Sequence, residues 1–219
     1  MDDDQLINEE EIPHEDEIFA DDTERAVQRK EEIEREESIN QLVESLCRQL
    51  ALEESEDLPE LSGLSLNPSA INADEVKCFS TSNINPRLSV LVCYYDTLET
   101  IYYDDATLLG VIEFSTLYPA TSLRKEEVSD KLADIFSKAD IDFKEQKLFS
   151  KTFHLVSSDR EFIMQKWEGK PLDMLADFPS LELVIEERQC VFRCFINNID
   201  QDKVDAFVKL STLLLKIVN

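Results

Sequence analysis

The 219-residue sequence contains only three glycines and two histidines. Phosphate-binding loops of the Walker and dinucleotide types need several closely spaced glycines, so the chain lacks the residues to build them. His14 falls in an acidic stretch and His154 in a predicted strand, which leaves no pair of histidines for a metal centre or a catalytic triad. We therefore expect no cofactor and no histidine-based site.

Long apolar runs are also missing. No run reaches the roughly 18 to 20 residues that a membrane-spanning helix needs, and the acidic start Met-Asp-Asp-Asp is the opposite of a secretory leader. We expect no transmembrane segment and a cytoplasmic location. The five cysteines are an odd number and are scattered, which favours free thiols in a reducing compartment over disulfides. They are Cys47, Cys78, Cys93, Cys190 and Cys194.

Basic residues are scarce, because Lys and Arg together number 22 against 48 Asp and Glu, a formal net charge of −26. Such a chain repels nucleic-acid phosphates, so direct nucleic-acid binding is not expected. The acidic excess is concentrated at the start, where residues 1–60 hold 23 acidic and five basic side chains. Electrostatic attraction of this chain is therefore directed toward basic partners and involves mainly its N-terminal part.

Residues 1–21 are too acidic and too poor in apolar side chains to form a core, so they are predicted to be a disordered acidic tail. Ile12, Ile18 and Phe19 are the apolar exceptions. Two interpretations stay open for them. They form a short linear motif that orders on a protein partner, or they belong to a tail that only keeps the chain soluble.

Residues 22–54 contain no proline or glycine and begin with a possible N-cap, which predicts a charged amphipathic helix. Five apolar residues of this helix recur with the helical period and form one stripe. The stripe either docks on the chain's own domain or forms a coiled coil or partner-binding surface. Its residues are Ile39, Leu42, Val43, Leu46 and Leu50.

Residues 55–80 contain Pro59, Gly63 and Pro68 among serines and asparagines, which predicts a linker. The following residues 81–219 alternate between strand-like and helical patterns. We assign them to an α+β globular domain with a small antiparallel sheet or sheets packed with helices. The predicted strands lie at 88–95, 100–103, 108–114, 141–143, 153–156 and, as a hairpin, 181–186 and 190–196, and the predicted helices lie at 124–138, after Ser158, at 171–177 and at 201–218.

The stretch of residues 140–161 concentrates acids, serines and a histidine, yet structural roles are available for them. Period-2 alternation predicts that Ile141 and Phe143 point inward. Ser158, followed three residues later by Glu161, matches a capping box that opens a helix. The stretch is therefore interpreted as part of a fold and not as a site.

Two groups of residues resemble metal sites but do not complete one. Asp140, Asp142 and Glu145 lack the glycine-bearing turn and the further oxygen ligands of a calcium loop. Cys190 and Cys194 lie four residues apart on a predicted strand, which separates them by about 13 Å, too far for one tetrahedral metal or a disulfide. We expect no metal site and treat both cysteines as core thiols.

A series of motifs occurs in an order that resembles a known family. The motifs are Cys93-Tyr-Tyr-Asp96, Leu123-Arg-Lys-Glu126, Asp140-Ile-Asp-Phe143, Phe149-Ser150 and Phe153-His-Leu155, followed by a helix, a hairpin and a final helix. Over about residues 85–219 this order is similar to an uncharacterised bacterial family with a Phe-Asp-Tyr strand, a Leu-Arg-Pro-Glu helix start, an Asp-Ile-Asp-Phe motif and Phe-Ser before an aromatic strand. The resemblance implies no activity, cofactor or catalytic residue. Many members carry hydrophobic upstream segments that suggest a membrane-associated domain, whereas this chain has an acidic helical arm there.

We expect a non-enzymatic protein-protein interaction or adaptor protein whose acidic N-terminal helical arm binds a protein partner or self-associates. The candidate partner-binding side chains are Ile18, Phe19, Ile39, Leu42, Val43, Leu46 and Leu50. Two alternatives stay open. One is an acidic chaperone or phosphate mimic that shields a basic partner. The other is an enzyme with a carboxylate-based site in a cleft between the first strands and the C-terminal hairpin.

Overall fold

The computed structural model describes residues 15–61, 73–82, 85–95, 105–126, 140–195 and 199–218, with side chains from Ala26 onward except Gln28. Within these ranges the chain forms four α-helices, a short 3-10 helix and a six-stranded antiparallel sheet, which confirms the α+β prediction. Three predicted features fall outside the described residues. They are the tail before residue 15, the strand at 100–103 and most of the helix at 124–138.

Helix α1 spans Glu15–Leu50, which makes it 36 residues and about 54 Å long. It therefore starts before the predicted residue 22, in a stretch predicted to be disordered. The acidic residues that suggested disorder also suit the first turns of a helix, because carboxylates interact favourably with the positive end of the helix dipole. Composition alone did not separate these two possibilities.

The C-terminal end of α1 is set by backbone geometry. Ala51 adopts a positive φ of 53°, and the Leu52 N–H donates to the Cys47 carbonyl oxygen at 2.9 Å. This pattern is a Schellman-type ending, in which a left-handed residue turns the chain away from the helix axis. Glycine is the usual residue at this position, because an L side chain there costs about 1 kcal/mol or more. The helix ends at Leu50, before the predicted residue 54.

The six strands form one antiparallel sheet in the order β1-β2-β3-β4-β5, with β6 also paired to β4. Strand β1 ends at Ser55 and β2 lies within residues 55–80, so the linker prediction is wrong for β2. The register pairs Cys78 with Leu91, and Cys78 is only 2% exposed. The strands are β1 (Glu53–Ser55), β2 (Glu75–Ser80), β3 (Arg87–Tyr95), β4 (Asp105–Lys125), β5 (Phe153–Ser157) and β6 (Glu182–Arg193).

Strand β4 is 21 residues long and pairs with three strands. Its first half pairs with β3 and with the second half of β6, and its second half pairs with β5 and with the first half of β6. The register shifts on either side of Tyr118, and Glu187 opposite it has a φ of 51°. The strand also continues through Lys125, so the helix predicted to start at residue 124 does not include its first two residues.

Strand β6 replaces the predicted hairpin, because both of its halves pair with β4 and not with each other. A straight 12-residue strand would separate its end residues by about 36 Å. Yet Arg193 Nη2 lies 2.6 Å from Glu182 Oε2. The strand must therefore fold back at the irregular residues near Glu187, which brings its two ends together.

The remaining helices are α2 (Lys147–Thr152), α3 (Arg160–Trp167), the 3-10 helix (Leu172–Asp177) and α4 (Gln201–Val218). Helix α4 has the predicted bounds. Helix α3 is capped by Asp159, whose side chain accepts the Phe162 N–H at 3.0 Å, so the predicted capping residue Ser158 is wrong by one position. Ile141 and Phe143 do point inward, with exposures of 1% and 9%, although their segment is not a strand.

The main core lies between one face of the sheet and the helices α1, α3 and α4. A smaller apolar cluster covers the other face and includes Cys78, Cys93 and Leu109. Gly110 allows the close packing of β4 against the main core, since a Cβ added there would overlap the ring of Phe192. This position therefore excludes every larger residue unless the ring moves.

Candidate functional site

Helix α1 is divided into two parts by the burial of its side chains. Ile39, Val43 and Leu46 are buried in the main core, with exposures of 6%, 5% and 0%, and Leu42 and Leu50 pack against the same core. Of the two alternatives for the stripe, the structure therefore shows the one in which it docks on the chain's own domain. These five side chains contact their own domain and do not form a free partner surface, so assigning them to partner binding is corrected.

The first part of α1 is exposed wherever its side chains are described. Ala26, Val27, Arg29, Lys30 and Glu31 are all exposed, and Glu32 is the first of the described side chains of the helix that is buried. We define residues 15–31 as the acidic arm. The arm is about 25 Å long at 1.5 Å per residue. It contains seven acidic and three basic residues.

Apolar side chains are sparse near the arm. Val27 is 54% exposed, and Ile33, just beyond the arm, is 39% exposed. The candidate residues Ile18 and Phe19 lie in the helical backbone of the arm, but their side chains are outside the described ones. The surface that the structure leaves open on α1 is therefore mainly charged, with a small apolar contribution.

A pocket of about 390 Å³ lies between α1 and the edge of the sheet, and its lining includes Cys47, Lys77 and Tyr94. Burial, followed by the charges of Glu54 and Glu44, raises the pKa of the Cys47 thiol to about 11. The thiol is therefore protonated near neutral pH, and a protonated thiol is a poor nucleophile. This pocket offers no activated side chain for covalent chemistry.

The other cysteines are equally unsuited to chemistry. Burial raises the pKa of Cys93 to about 11 and that of Cys194 to about 12. Burial also raises the pKa of Cys190, and all five cysteines are free thiols. Among the described residues, no group of three or more His, Cys, Asp or Glu side chains is arranged to hold a metal ion.

The Asp140 carboxylate has a structural role in the described fold. Its Oδ1 accepts the N–H groups of Ile141 at 2.9 Å and Leu155 at 2.8 Å, which ties the preceding loop to the edge of β5. His154 Nδ1 lies 3.6 Å from the same oxygen, and both side chains are 11% exposed. This enclosed arrangement supports the interpretation of residues 140–161 as part of the fold.

An open groove of about 780 Å³ lies between the start of β3, the bend of β4 and the bend of β6. It occupies the place where a carboxylate-based enzyme site was predicted, between the first strands and the C-terminal segment. Glu113 is held from two sides, because Arg87 Nη1 lies 3.9 Å from its Oε2 and Gln189 Nε2 donates to its Oε1 at 3.3 Å. The lining residues are Glu60, Asn85, Arg87, Glu113, Phe114, Ser115, Glu186, Glu187, Arg188 and Gln189.

The sequence does not predict which residues line the groove, because the groove depends on the bends of β4 and β6. Sequence patterns identified strands near both bends but not the register shifts that place Glu113 beside Gln189. Asn85 also lines the groove, and its Nδ2 donates to Ser115 Oγ at 3.4 Å. The groove combines acidic, basic and amide groups.

Within the described part of the chain, none of the helices carries a stretch that is both long and apolar enough to cross a membrane. No protein-family model matches the chain, and no curated protein matches it either. The arm, the groove and the distribution of charge are therefore the features of the chain that bear on its function.

Proposed function

We propose that this chain is a protein-interaction module whose folded domain anchors one half of α1 and presents the acidic arm to a protein partner. The observation that carries the proposal is the change along α1 from the exposed residues 26, 27 and 29–31 to the buried stripe that begins at Ile39. A helix held at one end by a core offers its other end in a defined direction. The loss of chain entropy on binding is then smaller than for a disordered tail.

The charge of the chain favours a basic partner surface. Residues 1–31 hold thirteen acidic and three basic residues, so the arm and the segment before it carry a strong negative charge. Opposite charge accelerates association and favours partners with Lys-rich or Arg-rich surfaces. A partner that otherwise binds nucleic acid is included in this class, and the arm would then shield its phosphate-binding surface.

The proposal is tested by affinity capture with the full chain and with a variant that lacks residues 1–31. This boundary keeps every described buried residue of α1, since Glu32 is the first. We expect captured proteins to depend on the arm and to be released at about 1 M salt, where the Debye length is about 3 Å. Capture of the same proteins by the shortened variant would contradict the proposal.

A second full-length variant serves as the matched control. Asp21→Asn, Asp22→Asn and Glu24→Gln remove three charges and leave the helix length unchanged. Weaker capture by this variant identifies charge as the cause, whereas unchanged capture assigns the contact to other features of the arm. If double-stranded DNA displaces a captured partner, the shielding role is supported.

The groove supports a second candidate, a carboxylate-based enzyme in which Glu113 is the acid or base. The supporting observation is the position of Glu113 between Arg87 and Gln189 in a groove large enough for a small molecule. The test is a ligand and activity screen of the full chain beside Glu113→Gln. An activity that survives in Glu113→Gln, or no activity at all, removes this candidate.

Two further expectations stay predictions. The first is membership of residues 85–219 in the uncharacterised bacterial family, and the second is a cytoplasmic location. Fluorescence localisation of the full chain in its source cell tests the location. A signal at the membrane would contradict it.

A further inference from the structure

An exposed apolar surface lies where α2 meets the 3-10 helix. Leu148 is 52% exposed and Met174 is 47% exposed. The two elements are tied together, because the Phe149 N–H donates to Asp173 Oδ1 at 2.8 Å and the Asp173 N–H donates to Gln146 Oε1 at 3.0 Å. Leu148 and Met174 are the chain neighbours of this bonded pair, so both flank the junction of the two elements.

Three exposed lysines accompany Leu148. Lys147 precedes it, and Lys151 follows three residues later, the spacing that places two residues on one face of a helix. Lys144 lies four residues before it, and the nearby acidic residues are Asp142, Glu145 and the Asp173 carboxylate that accepts the Phe149 N–H. These three lysines form no ion pair with any described residue. Leu148, Met174 and the three lysines together are called the α2 patch.

We infer that the α2 patch binds the acidic arm of a second copy of this chain, so that two copies exchange arms in a symmetric dimer. The inference rests on the proposed function and names the partner of the arm. The patch combines three exposed lysines with two apolar side chains, and the arm region combines negative charge with the exposed Val27 and Ile33. Reciprocal exchange uses both patches and closes the assembly, whereas a one-way contact would leave one patch empty at each end.

Salt dependence follows from the charges. Each copy carries −26, so two copies repel one another at about 0.01 M salt, where the Debye length is about 30 Å. At about 0.1 M salt the Debye length is about 10 Å, which screens this long-range repulsion more than the contacts between arm and patch. At about 1 M salt the contacts are screened as well. We therefore expect sedimentation equilibrium of the full chain to show the strongest dimer near 0.1 M salt.

A charge-swap experiment tests the contact directly. The patch-reversed variant is Lys144→Glu, Lys147→Glu and Lys151→Glu, and the arm-reversed variant is Asp21→Lys, Asp22→Lys and Glu24→Lys. Each variant alone places like charges at the contact, so we expect its dimer dissociation constant at 0.1 M salt to rise at least about tenfold. A mixture of the two restores opposite charges and should form a mixed dimer. A mixture that stays monomeric overturns the inference.

Two controls separate the contact from folding and from the proposed function. Circular dichroism and thermal melting of both variants establish that the substitutions leave the domain folded, and Leu148→Ser with Met174→Ser tests the apolar part of the patch without altering charge. A full chain that is monomeric at every salt concentration but captures a foreign protein through its arm overturns the dimer and keeps the proposed function. A monomeric chain without arm-dependent capture overturns both.

Discussion

The two halves of α1 belong to one continuous helix but differ in almost every other respect. The second half places Val43 and Leu46 in the main core, and the described side chains of the acidic arm are exposed. Both halves have compositions that favour a helix, so helix formation does not distinguish them. The difference shows that an apolar stripe of five residues decides which part of a long helix is anchored and which part is available to a partner.

Glu32 marks the boundary between the halves. It is only 6% exposed, and none of the described ion pairs includes it. Burial of a carboxylate costs free energy unless polar or charged groups compensate it, because burial removes water that solvates it. The helix therefore begins its contact with the domain at a residue that does not favour burial.

The largest expected effect compares a core position with an arm position. Leu46 is fully buried, so Leu46→Ala should lower the free energy of unfolding by about 2–5 kcal/mol through lost burial and a cavity. Val27→Ala in the arm should change it by less than about 0.5 kcal/mol. Urea denaturation measures both. Equal effects would show that the arm is as firmly packed as the stripe.

A smaller effect is expected at the boundary. Glu32→Leu replaces a buried carboxylate by an apolar side chain and should raise the free energy of unfolding by about 1 kcal/mol. Glu34→Leu is the matched control, because Glu34 is exposed and pairs with Lys30 at 3.6 Å on the surface. That control should change the free energy of unfolding by less than about 0.5 kcal/mol. A destabilised Glu32→Leu variant would show that this carboxylate has a favourable contact.

The end of the anchored half gives a third comparison. Ala51→Gly should raise the free energy of unfolding by about 0.5 kcal/mol, because glycine adopts the positive φ at this position without strain. The gain is reduced by the greater freedom of glycine in the unfolded chain. Ala26→Gly in the arm should reduce helicity measured by circular dichroism while leaving the unfolding midpoint unchanged. A shift of that midpoint would place the arm within the cooperative unit.

The smallest effect concerns the charge of the arm. Asp21→Asn, Asp22→Asn and Glu24→Gln together should change the free energy of unfolding by less than about 0.5 kcal/mol, since exposed charges contribute little to stability. Denaturation at about 0.1 M salt measures this. Because the same variant is expected to lose partner capture, it separates binding from stability. A large stability change would instead assign these charges to the fold.

Sequence patterns predicted the fold well where a periodic apolar pattern was continuous. Helix α4 has its predicted bounds, and the strand at residues 153–156 lies within β5. The sequence failed at β2, because Pro59, Gly63 and the surrounding polar residues outweighed the short alternation at 75–80. The hairpin prediction also failed at β6. The residues near Glu187 were predicted to form the turn between two strands, but they form a bend within one strand.

The candidate surfaces were predictable only in part. The acidic arm follows from charge counts, and the stripe at Ile39, Val43 and Leu46 follows from helical period. The groove around Glu113 and the α2 patch join residues that are far apart in sequence. No local pattern indicates that Gln189 approaches Glu113, since this contact depends on the register between β4 and β6.

By itself the sequence determined the α+β class, the strong acidity and the absence of residues for glycine-rich phosphate loops. Only the tertiary structure decided that the stripe of α1 contacts its own domain, that β2 joins the sheet and that β6 folds back. Periodicity identifies the apolar face of an element but not the surface that covers it. That covering depends on which distant segments meet when the chain buries its apolar area.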